Sequence, residues 1–338
     1  EERRKLVVFL HAGAVGRFDW DQLAAWDAPL LIDWGLNVDK LHQWSDNVKN
    51  LGALLESEEE PPPDDPGADI DRAEELREKW GVETGQMWRL GDHRIICGDC
   101  TDRAVVERVM GGDDIAIIAT DPPYSSGSLH AGGRRSDTNS KYKQTESQRN
   151  YLKFSGDNRD QRSWIQWCSL WLADFLAISE EECYFCLFCD WRQLPALTDA
   201  VQVAGAIWRG IAVWDKTEGA RMPHLGYFKH QAEYVVWGTK TQLRPDYHRD
   251  EALPGVFRSA IDSEKIHLTQ KPIEVMEWII KISPGGIVFD PFLGSGTTLI
   301  ACERLGRKCR AVEIAPKYVA VAIERWVEMT GGDPELVG

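Results

Sequence analysis

The stretch Ile115-Ala116-Ile117-Ile118-Ala119-Thr120-Asp121-Pro122-Pro123-Tyr124 decides how the rest of the chain is interpreted. Its apolar first half is typical of a buried strand, which places the tetrapeptide Asp121-Pro122-Pro123-Tyr124 at the carboxyl end of that strand. In an open α/β sheet, ligands bind at that end of the strands. Asp121 and the Pro122 carbonyl can each accept a hydrogen from an exocyclic NH2 group, while Tyr124 stacks on the ring that carries it. The tetrapeptide therefore predicts a catalytic site for a planar amine, with an ordinary tight turn as the alternative.

A second motif begins with the apolar run Ile287-Val288-Phe289 and continues as Asp290-Pro291-Phe292-Leu293-Gly294-Ser295-Gly296-Thr297-Thr298. This pattern predicts a strand, a glycine turn that lets a ligand approach the backbone, and then a helix. Further along, Arg310-Ala311-Val312-Glu313 predicts the next strand, with an acid at the position where nucleotide-binding folds hold ribose hydroxyls. The motif lacks the Gly-Lys-Ser/Thr ending of a phosphate loop. It therefore favours a nucleoside without phosphates over ATP or NAD.

Together, the two motifs resemble those of the S-adenosylmethionine-dependent amino methyltransferases of DNA. The order, with Asp-Pro-Pro-Tyr first and the glycine motif second, is similar to that of the beta class of this family, a circular permutation of the usual arrangement. The resemblance covers roughly Gly85 to Thr330. It implies methyl transfer from S-adenosylmethionine to a base of DNA that is flipped out of the duplex. Because Asp121 resembles the leading acid of the adenine group, it implies N6 of adenine as the acceptor.

Three alternatives stay open from the sequence. N4 of cytosine could be held in the same way as N6 of adenine. A methyltransferase of RNA or of protein amides is the second alternative, although the related motif there usually begins with Asn rather than with an acid. The third is a catalytically silent module that binds cofactor or DNA, against which the intact tetrapeptide, the glycine turn and Glu313 argue.

The resemblance also implies a cofactor site. In the beta class, the acid of a Gly-Asp-Cys element accepts from the adenine amine, a role that falls to Asp99; an ordinary helix cap, with Asp102 opening the next helix, competes with this interpretation. The element His267-Leu268-Thr269-Gln270-Lys271-Pro272 is similar to one that touches the methionine end, where Lys271 would meet the carboxylate. We expect a side chain at Gly296 to block cofactor binding by steric contact. The implied cofactor residues are Asp99, Cys100, Asp121, His267, Gln270, Lys271, Asp290, Pro291, Phe292, Gly294, Ser295, Gly296, Thr297, Thr298 and Glu313.

The order of predicted elements and the resemblance imply a Rossmann-like, doubly wound α/β fold. We expect a mostly parallel, seven-stranded methyltransferase sheet with one reversed strand, and both motifs at its carboxyl edge. Residues 72–331 are assigned to this domain, which contains a basic loop at 125–162 and a candidate target-recognition segment at 238–265. The flanking segments are a small helical appendage at 1–55, an acidic, proline-rich linker at 56–71 and a tail at 332–338.

The formal net charge of −15 argues at first against a nucleic-acid partner, because phosphate binding normally leaves a basic footprint. The distribution of the charge changes that conclusion. Residues 1–85 hold 20 acids and 9 bases, net −11, which leaves 34 acids and 30 bases, net −4, for the rest of the chain. The basic loop carries eight bases against four acids beside the predicted catalytic motif. We expect DNA as the partner, with a solvated charged loop as the alternative; the candidate DNA-binding residues are Arg134, Arg135, Lys141, Lys143 and Lys216.

The eight cysteines include Cys183, Cys186 and Cys189, whose spacing invites a zinc interpretation. They lie in a predicted strand, and residues three apart on a strand point to opposite faces, so we expect no metal site and reduced thiols in the core. No apolar run approaches the length of a membrane span, and the start of the chain has no secretory pattern. The expected setting is the cytoplasm of a bacterium, with the gene bacterial or carried by a phage, no membrane partner, and a homodimer as the candidate assembly.

Overall fold

A computed structural model describes residues 65–123, 159–217, 226–243, 252–260 and 271–338 of the chain. The chain divides into two compact units, Glu1–Pro62 and Pro63–Gly338, and every described residue belongs to the second. The predicted helical appendage lies outside the described residues, as do most of the basic loop and part of the target-recognition segment. The individual site candidates outside them are Tyr124, Arg134, Arg135, Lys141, Lys143, His267 and Gln270.

Ten strands form one sheet in the described part of the chain. Their bounds are β1 (Met87–Leu90), β2 (His93–Cys97), β3 (Ile115–Thr120), β4 (Ser179–Cys189), β5 (Ile207–Asp215), β6 (Ala232–Thr239), β7 (Val256–Arg258), β8 (Ile287–Asp290), β9 (Cys309–Glu313) and β10 (Glu335–Leu336). From one edge to the other, their order is β10-β1-β2-β9-β8-β3-β4-β6-β5-β7. Strands that are distant in the sequence therefore become neighbours at the centre of the sheet.

The central seven strands have the predicted arrangement. β2, β9, β8, β3 and β4 are parallel neighbours, and β6 is antiparallel to both β4 and β5. The sheet is wider than expected, because β1 and β10 extend one edge and β7 extends the other. β7 and β10 contain only three and two residues, too few to leave a periodic pattern in the sequence. The mostly parallel α/β fold is confirmed.

Helices cover both faces of this sheet. Those in the described ranges are α1 (Ala73–Trp80), α2 (Arg103–Met110), α3 (Gln161–Ala177), α4 (Leu194–Val203), α5 (Ile273–Ile280), α6 (Thr297–Arg304) and α7 (Pro316–Thr330). The buried side chains of α1, α5, α6 and α7 form one apolar core with the sheet, and those of α2, α3 and α4 form another. These two cores on opposite faces define the doubly wound architecture that the sequence predicts.

The alternation of side chains along β4 separates its cysteines. Cys186 belongs to the same core as Tyr184 and Phe188, whereas Cys183 and Cys189 belong to the core on the other face. The predicted opposite orientation is confirmed, so these three thiols cannot share one metal ion. Across the described ranges, no group of three or more potential metal ligands is found, and no helix is long and apolar enough to cross a membrane.

The ordered domain extends beyond the boundaries that the sequence indicated. Ala68, in the predicted linker, packs against the core, and Asp65 makes two hydrogen bonds of 2.7 Å with the buried guanidinium of Arg325. At the other end, the predicted tail supplies β10, which pairs with β1. The linker segment was expected to bury nothing because it is rich in charge and proline. That expectation fails at Asp65, since its partner lies 260 residues away along the chain.

Candidate active site

The described residues of both sequence motifs lie at the carboxyl edge of the sheet. Asp121 follows β3, and Asp290 and Glu313 are the last residues of β8 and β9, which are parallel neighbours in the order β9-β8-β3. The Gly98 amide, just after β2, donates to the Glu313 carbonyl at 3.0 Å. Four adjacent strand ends therefore bring the described catalytic and cofactor candidates together.

The buried carboxylate of Asp290 connects the two motifs. It accepts hydrogen bonds from the hydroxyls of Thr120 and Thr298 and, at 3.0 Å, from the amide of Phe292. Burial raises the pKa of this carboxyl to about 6, although the three donors favour its charged form. Asp290 and Thr298 thus hold β3, β8 and the start of α6 together, which gives both predicted cofactor residues a structural function.

Glu313 is buried against the glycine turn. Its Oε2 accepts from the Gly294 amide and its Oε1 from the Ala315 amide, both at 2.8 Å. Burial raises the pKa of this carboxyl to about 7, against the effect of the two amides. Each carboxylate oxygen has a second lone pair. The arrangement is compatible with the predicted acceptance of ribose hydroxyls.

The two glycines of the turn differ in what lies beside them. Both have a positive φ, 55° at Gly294 and 89° at Gly296, a backbone region that other residues rarely adopt. A Cβ at Gly294 would meet nothing within 4 Å, so a ligand can approach the backbone there. A Cβ at Gly296 would lie only 2.9 Å from the Cβ of Ala322 in α7. The expectation for Gly296 is therefore corrected: an added side chain would collide with α7 rather than test a cofactor contact.

Arg325, in α7, is a residue of this site that sequence reasoning missed. Its Nη1 donates to the carbonyl of Ser295 and to the hydroxyl of Thr297, both at 3.2 Å, while its other nitrogens bind Asp65. Ser295 and Thr297, two predicted cofactor residues, are thereby attached to α7. The only sequence signal was a charged residue within an otherwise apolar helix face, and its three partners are far away in the sequence.

The Asp121 carboxylate lies at one end of a series of four alternating charges. Lys271 forms ion pairs with Oδ2 of Asp121 and, at 2.9 Å, with Oε1 of Glu233. Glu233, in β6, also pairs through Oε2 with Lys216 at 2.6 Å. The side chains of Lys271 and Glu233 are only 9% and 7% exposed, so solvent screens these interactions weakly. Sequence reasoning missed Glu233, because its partners lie after β5 and before α5 and no local motif marks it.

The second oxygen of Asp121, Oδ1, is buried and has no hydrogen-bond partner among the described residues. The side chain as a whole is 33% exposed, so the carboxylate is at the surface of the site rather than deep in the core. Burial raises the pKa of Asp121, and the charge of Lys271 opposes that shift. Burial also disfavours the charged form of Lys271, but the two carboxylates outweigh it and raise the pKa of the lysine. Lys271 therefore stays protonated.

These contacts change the interpretation of two lysines. Lys271 was expected to meet the carboxylate of a cofactor, but the structure places its ammonium between Asp121 and Glu233. Lys216 was expected to bind DNA; its side chain is 20% exposed and pairs with Glu233, with the ammonium 5.2 Å from the ring centroid of Trp214. Both corrections have one cause, which is that the buried carboxylate of Glu233 attracts both cations.

Helix α3 supports both motifs through its tryptophans. The indole Nε1 of Trp164 donates to the Pro123 carbonyl at 2.8 Å, which orients the diproline turn that also contains the buried Pro122. The rings of Trp167 and Trp171 pack against Phe292, each with a centroid distance of 5.5 Å. A single helix thus positions the catalytic turn and the aromatic residue of the glycine motif.

The Gly-Asp-Cys element has features of both an acid that accepts from a cofactor and an ordinary turn before a helix cap. Oδ1 of Asp99 accepts from the amide and the hydroxyl of Thr101, at 2.9 and 2.8 Å, while Asp102 caps α2 by accepting from the Ala104 amide. Cys100 is buried in the core. Asp99 is exposed at the carboxyl end of β2, so its second oxygen lies at the edge that holds Glu313.

Most of this arrangement lies in a segment of the chain that matches a known protein family. Residues 115–324, more than half of the chain, match the model of the N6/N4 methyltransferases, which is described as DNA methylase. The chain belongs to the N6/N4 DNA methylase family. The match begins at the first residue of β3 and ends within α7, so it includes the tetrapeptide, the charge series around Asp121 and the glycine turn of this DNA methylase.

Curated relatives of this DNA methylase include YubD of Escherichia coli (strain K12), which is named as a methylase. YubD is 26% identical over 231 residues, which cover 67% of this chain and 86% of YubD. The type II methyltransferases M2.LlaDCHI of Lactococcus lactis subsp. cremoris and M2.DpnII of Streptococcus pneumoniae are each 31% identical, over 129 and 130 residues. These matches cover 33% of this chain and about half, 48%, of each relative.

Two solved structures are similar to the DNA methylase at low sequence identity. The M1.HpyAVI–SAM complex has 20% identity and a TM-score of 0.48, and the match covers 69% of this chain and 98% of that one. The PvuII DNA methyltransferase, titled as cytosine-N4-specific, has 16% identity and a TM-score of 0.48, with 71% and 93% covered.

The pair between Asp65 and Arg325 predicts a large effect on stability. In Asp65→Asn the buried guanidinium of Arg325 loses the negative charge of Asp65, so we expect the free energy of unfolding to fall by about 3 kcal/mol. Urea denaturation measures the difference. Asp69→Asn is a matched control, because Asp69 pairs with Arg72 at the surface and its loss should leave stability unchanged. Equal stability of Asp65→Asn and the wild type would contradict the anchoring role of Asp65.

The raised pKa of Glu313 predicts a pH dependence of stability. The carboxyl titrates near its ordinary 4.5 in the unfolded chain and near 7 in the folded protein, so between these values the folded state binds the extra proton. Its contribution to stability therefore falls as the pH rises through this range and is constant above it. Relative to the wild type, Glu313→Gln should gain about 2 kcal/mol between about pH 5 and about pH 8. A difference that is independent of pH in chemical denaturation would contradict this burial of Glu313.

Proposed function

We propose that the protein transfers a methyl group from S-adenosylmethionine to N6 of adenine in DNA. The observation that carries the proposal is the buried Oδ1 of Asp121, which has no hydrogen-bond partner among the described residues and lies at the sheet edge that also holds the glycine turn. In a member of a DNA methylase family, this oxygen is a suitable acceptor for an exocyclic amino group. A buried acceptor without a partner costs free energy, so an amine that donates to it gains on binding.

The glycine turn fits a nucleoside cofactor. The space beside Gly294 admits a ligand to the backbone, and the free lone pairs of Glu313 can accept ribose hydroxyls. Asp99 can accept from the adenine amine, as in the beta class, and Phe292 offers a partly exposed ring at the same turn. When it is bound, S-adenosylmethionine supplies an electrophilic methyl group on a sulfonium centre. We propose that these residues hold it.

The residues around Asp121 then activate the acceptor. The ion pair with Lys271 fixes Oδ2, which leaves Oδ1 in a defined position, and Trp164 fixes the diproline turn whose Pro122 carbonyl is the second proposed acceptor. Hydrogen bonds from an exocyclic amine to these two oxygens draw its nitrogen toward tetrahedral geometry and localise its lone pair. Positioning of this kind can contribute on the order of 7 kcal/mol or more to lowering a barrier.

The polymer and the base remain parts of the proposal. An adenine inside a duplex cannot reach this edge, so the base must be flipped out of the stack. Exposed aromatic side chains near the end of β4 can stack on bases: Trp191 is 55% exposed and lies parallel to His230, and Phe228 is 96% exposed. The basic residues proposed to contact phosphates are Arg134, Arg135, Lys141 and Lys143, which lie outside the described residues.

N4 methylation of cytosine is the second candidate function. The family to which the chain belongs includes both N6 and N4 enzymes, and both amines present the same two hydrogens to Asp121. We favour adenine because the tetrapeptide begins with an acid, whereas members that begin with Ser resemble the cytosine group.

The proposal predicts that Asp121→Ala abolishes methyl transfer. Loss of the acceptor should lower the single-turnover rate on DNA by on the order of 1000-fold or more, whereas affinity for S-adenosylmethionine should change little because the acid holds the amine. Labelled methyl transfer measures the rate and calorimetry the affinity. Asp114→Ala is the matched control, since Asp114 is exposed just before the opposite end of β3 and should retain wild-type activity. Equal rates for Asp121→Ala and the wild type would remove Asp121 from the mechanism.

The proposal also predicts the chemical identity of the product. DNA incubated with the protein and S-adenosylmethionine, digested to nucleosides and analysed by mass spectrometry should contain N6-methyladenine. DNA incubated with the Asp121→Ala protein is the control for methylation that was already present. N4-methylcytosine as the sole new nucleoside would overturn the adenine assignment and leave the amino methyltransferase proposal intact.

A further inference from the structure

We propose that Glu233 is a positioning residue for methyl transfer, which balances the charge of Lys271 so that Asp121 stays an effective acceptor for the amine. The inference rests on the proposed function, because it concerns the same site. No described contact joins Glu233 to Oδ1 of Asp121. Glu233 pairs with Lys271, and Lys271 pairs with Asp121, so Glu233 acts through the lysine.

The geometry gives this role to Glu233 rather than to another acid. Two carboxylates and two ammonium groups alternate in the order Asp121, Lys271, Glu233 and Lys216, with a formal sum of zero. Lys271 is also bounded on one side by the ring of Phe188, whose centroid lies 4.6 Å from the ammonium. Little water reaches Lys271, so carboxylates must supply its compensation. Without Glu233, the carboxylate of Asp121 is the one ion-pair partner of Lys271 that remains among the described residues.

The rate of methyl transfer depends on this balance of charge around Lys271. As the nitrogen–carbon bond forms and the carbon–sulfur bond breaks with its electron pair left on sulfur, positive charge develops on the amine nitrogen, which then releases a proton to solvent. A carboxylate oxygen beside that nitrogen stabilises the developing charge, whereas an uncompensated ammonium opposes it. Glu233 offsets the ammonium of Lys271, and this leaves Asp121 free to stabilise the nitrogen.

Two other titratable groups interact electrostatically with Asp121. Asp290, at the end of β8, is buried and hydrogen-bonded by three donors, and the thiol of Cys189, at the end of β4, has a pKa raised by burial. Neither forms an ion pair with Lys271. Glu233 is therefore the second carboxylate paired with Lys271 in the described part of the site.

The test compares Glu233→Gln with the double variant Glu233→Gln/Lys216→Gln. Glu233→Gln leaves two lysines and one carboxylate, a net charge of +1, and the double variant restores a net charge of zero without changing Asp121 or Lys271. Glu277→Gln is the matched control, because Glu277 is a 14% exposed carboxylate that pairs with Arg304 away from this cluster. For each protein, single-turnover transfer to saturating DNA, affinity for S-adenosylmethionine and the thermal midpoint are measured.

We expect Glu233→Gln to slow transfer by about 10- to 100-fold, with cofactor affinity changed by less than about threefold. The double variant should be at least about threefold faster than Glu233→Gln and should melt at a higher temperature, whereas Glu277→Gln should transfer at the wild-type rate. If Glu233 acted only as a packing and hydrogen-bond partner and not through its charge, the order would be reversed, because the second substitution would remove one more contact without restoring any balance. A wild-type rate in Glu233→Gln, or a double variant no faster than the single one, would overturn the inference.

The two proposals fail in different ways. If the wild type transfers no methyl group to DNA, the proposed function fails. The thermal midpoints still test whether Glu233 balances the charge of the lysines. A higher midpoint in the double variant than in Glu233→Gln supports that balance, and a lower one overturns it. If the wild type is active and Glu233→Gln is equally active, only the role of Glu233 fails.

Discussion

The buried hydrogen bonds of Asp290 are the contacts on which the rest of the site depends. One carboxylate accepts from β3, from the first turn of α6 and from its own turn, and thereby couples the strand that precedes Asp121 to the glycine motif. Parallel strands place their carboxyl ends at one edge of the sheet, but they do not fix how far two neighbouring loops are displaced from each other along the strand direction. Asp290 supplies that link. Small shifts between a methyl donor and its acceptor cost much of the rate, so a buried link between the motifs is a functional requirement.

The carboxylates at this edge of the sheet differ in the charge of the groups that surround them. Asp290 and Glu313 are surrounded by neutral donors, and burial raises the pKa of each into the range from about 6 to about 7. Asp121 instead has a buried ammonium beside it, which opposes the effect of burial. Neutral donors suit residues that shape a binding site, because they fix the carboxylate oxygens without placing a counter-charge beside the ligand. An ion pair suits the catalytic acid, because the chemistry needs an oxygen that remains an acceptor.

Much of the fold could be predicted because its elements carry local signals. The apolar runs before Asp121 and Asp290 identified two central strands, and the alternation of Cys183, Cys186 and Cys189 across β4 followed from strand geometry alone. The residues that position the site left no such signal. Glu233 is one acid in a strand, Arg325 is one base in an apolar helix, and Asp65 lies in a segment with the composition of a linker. Each acquires its role from a partner on a distant element, which periodicity and local motifs do not encode.

The same limit explains why Lys216 and Lys271 were given other roles from the sequence. A lysine near a predicted site can neutralise an external anion or a carboxylate of the protein, and only the fold decides between them. Here the buried Glu233 pairs with both lysines.

The central proposal is that this edge methylates amino groups of DNA. The most direct measurement supplies the wild-type protein with tritium-labelled S-adenosylmethionine and, in parallel, with DNA, RNA and a mixture of proteins, and then counts the label in each polymer. We expect label in DNA, dependent on the protein and absent from a boiled control. Label in RNA or protein with none in DNA would contradict the proposal.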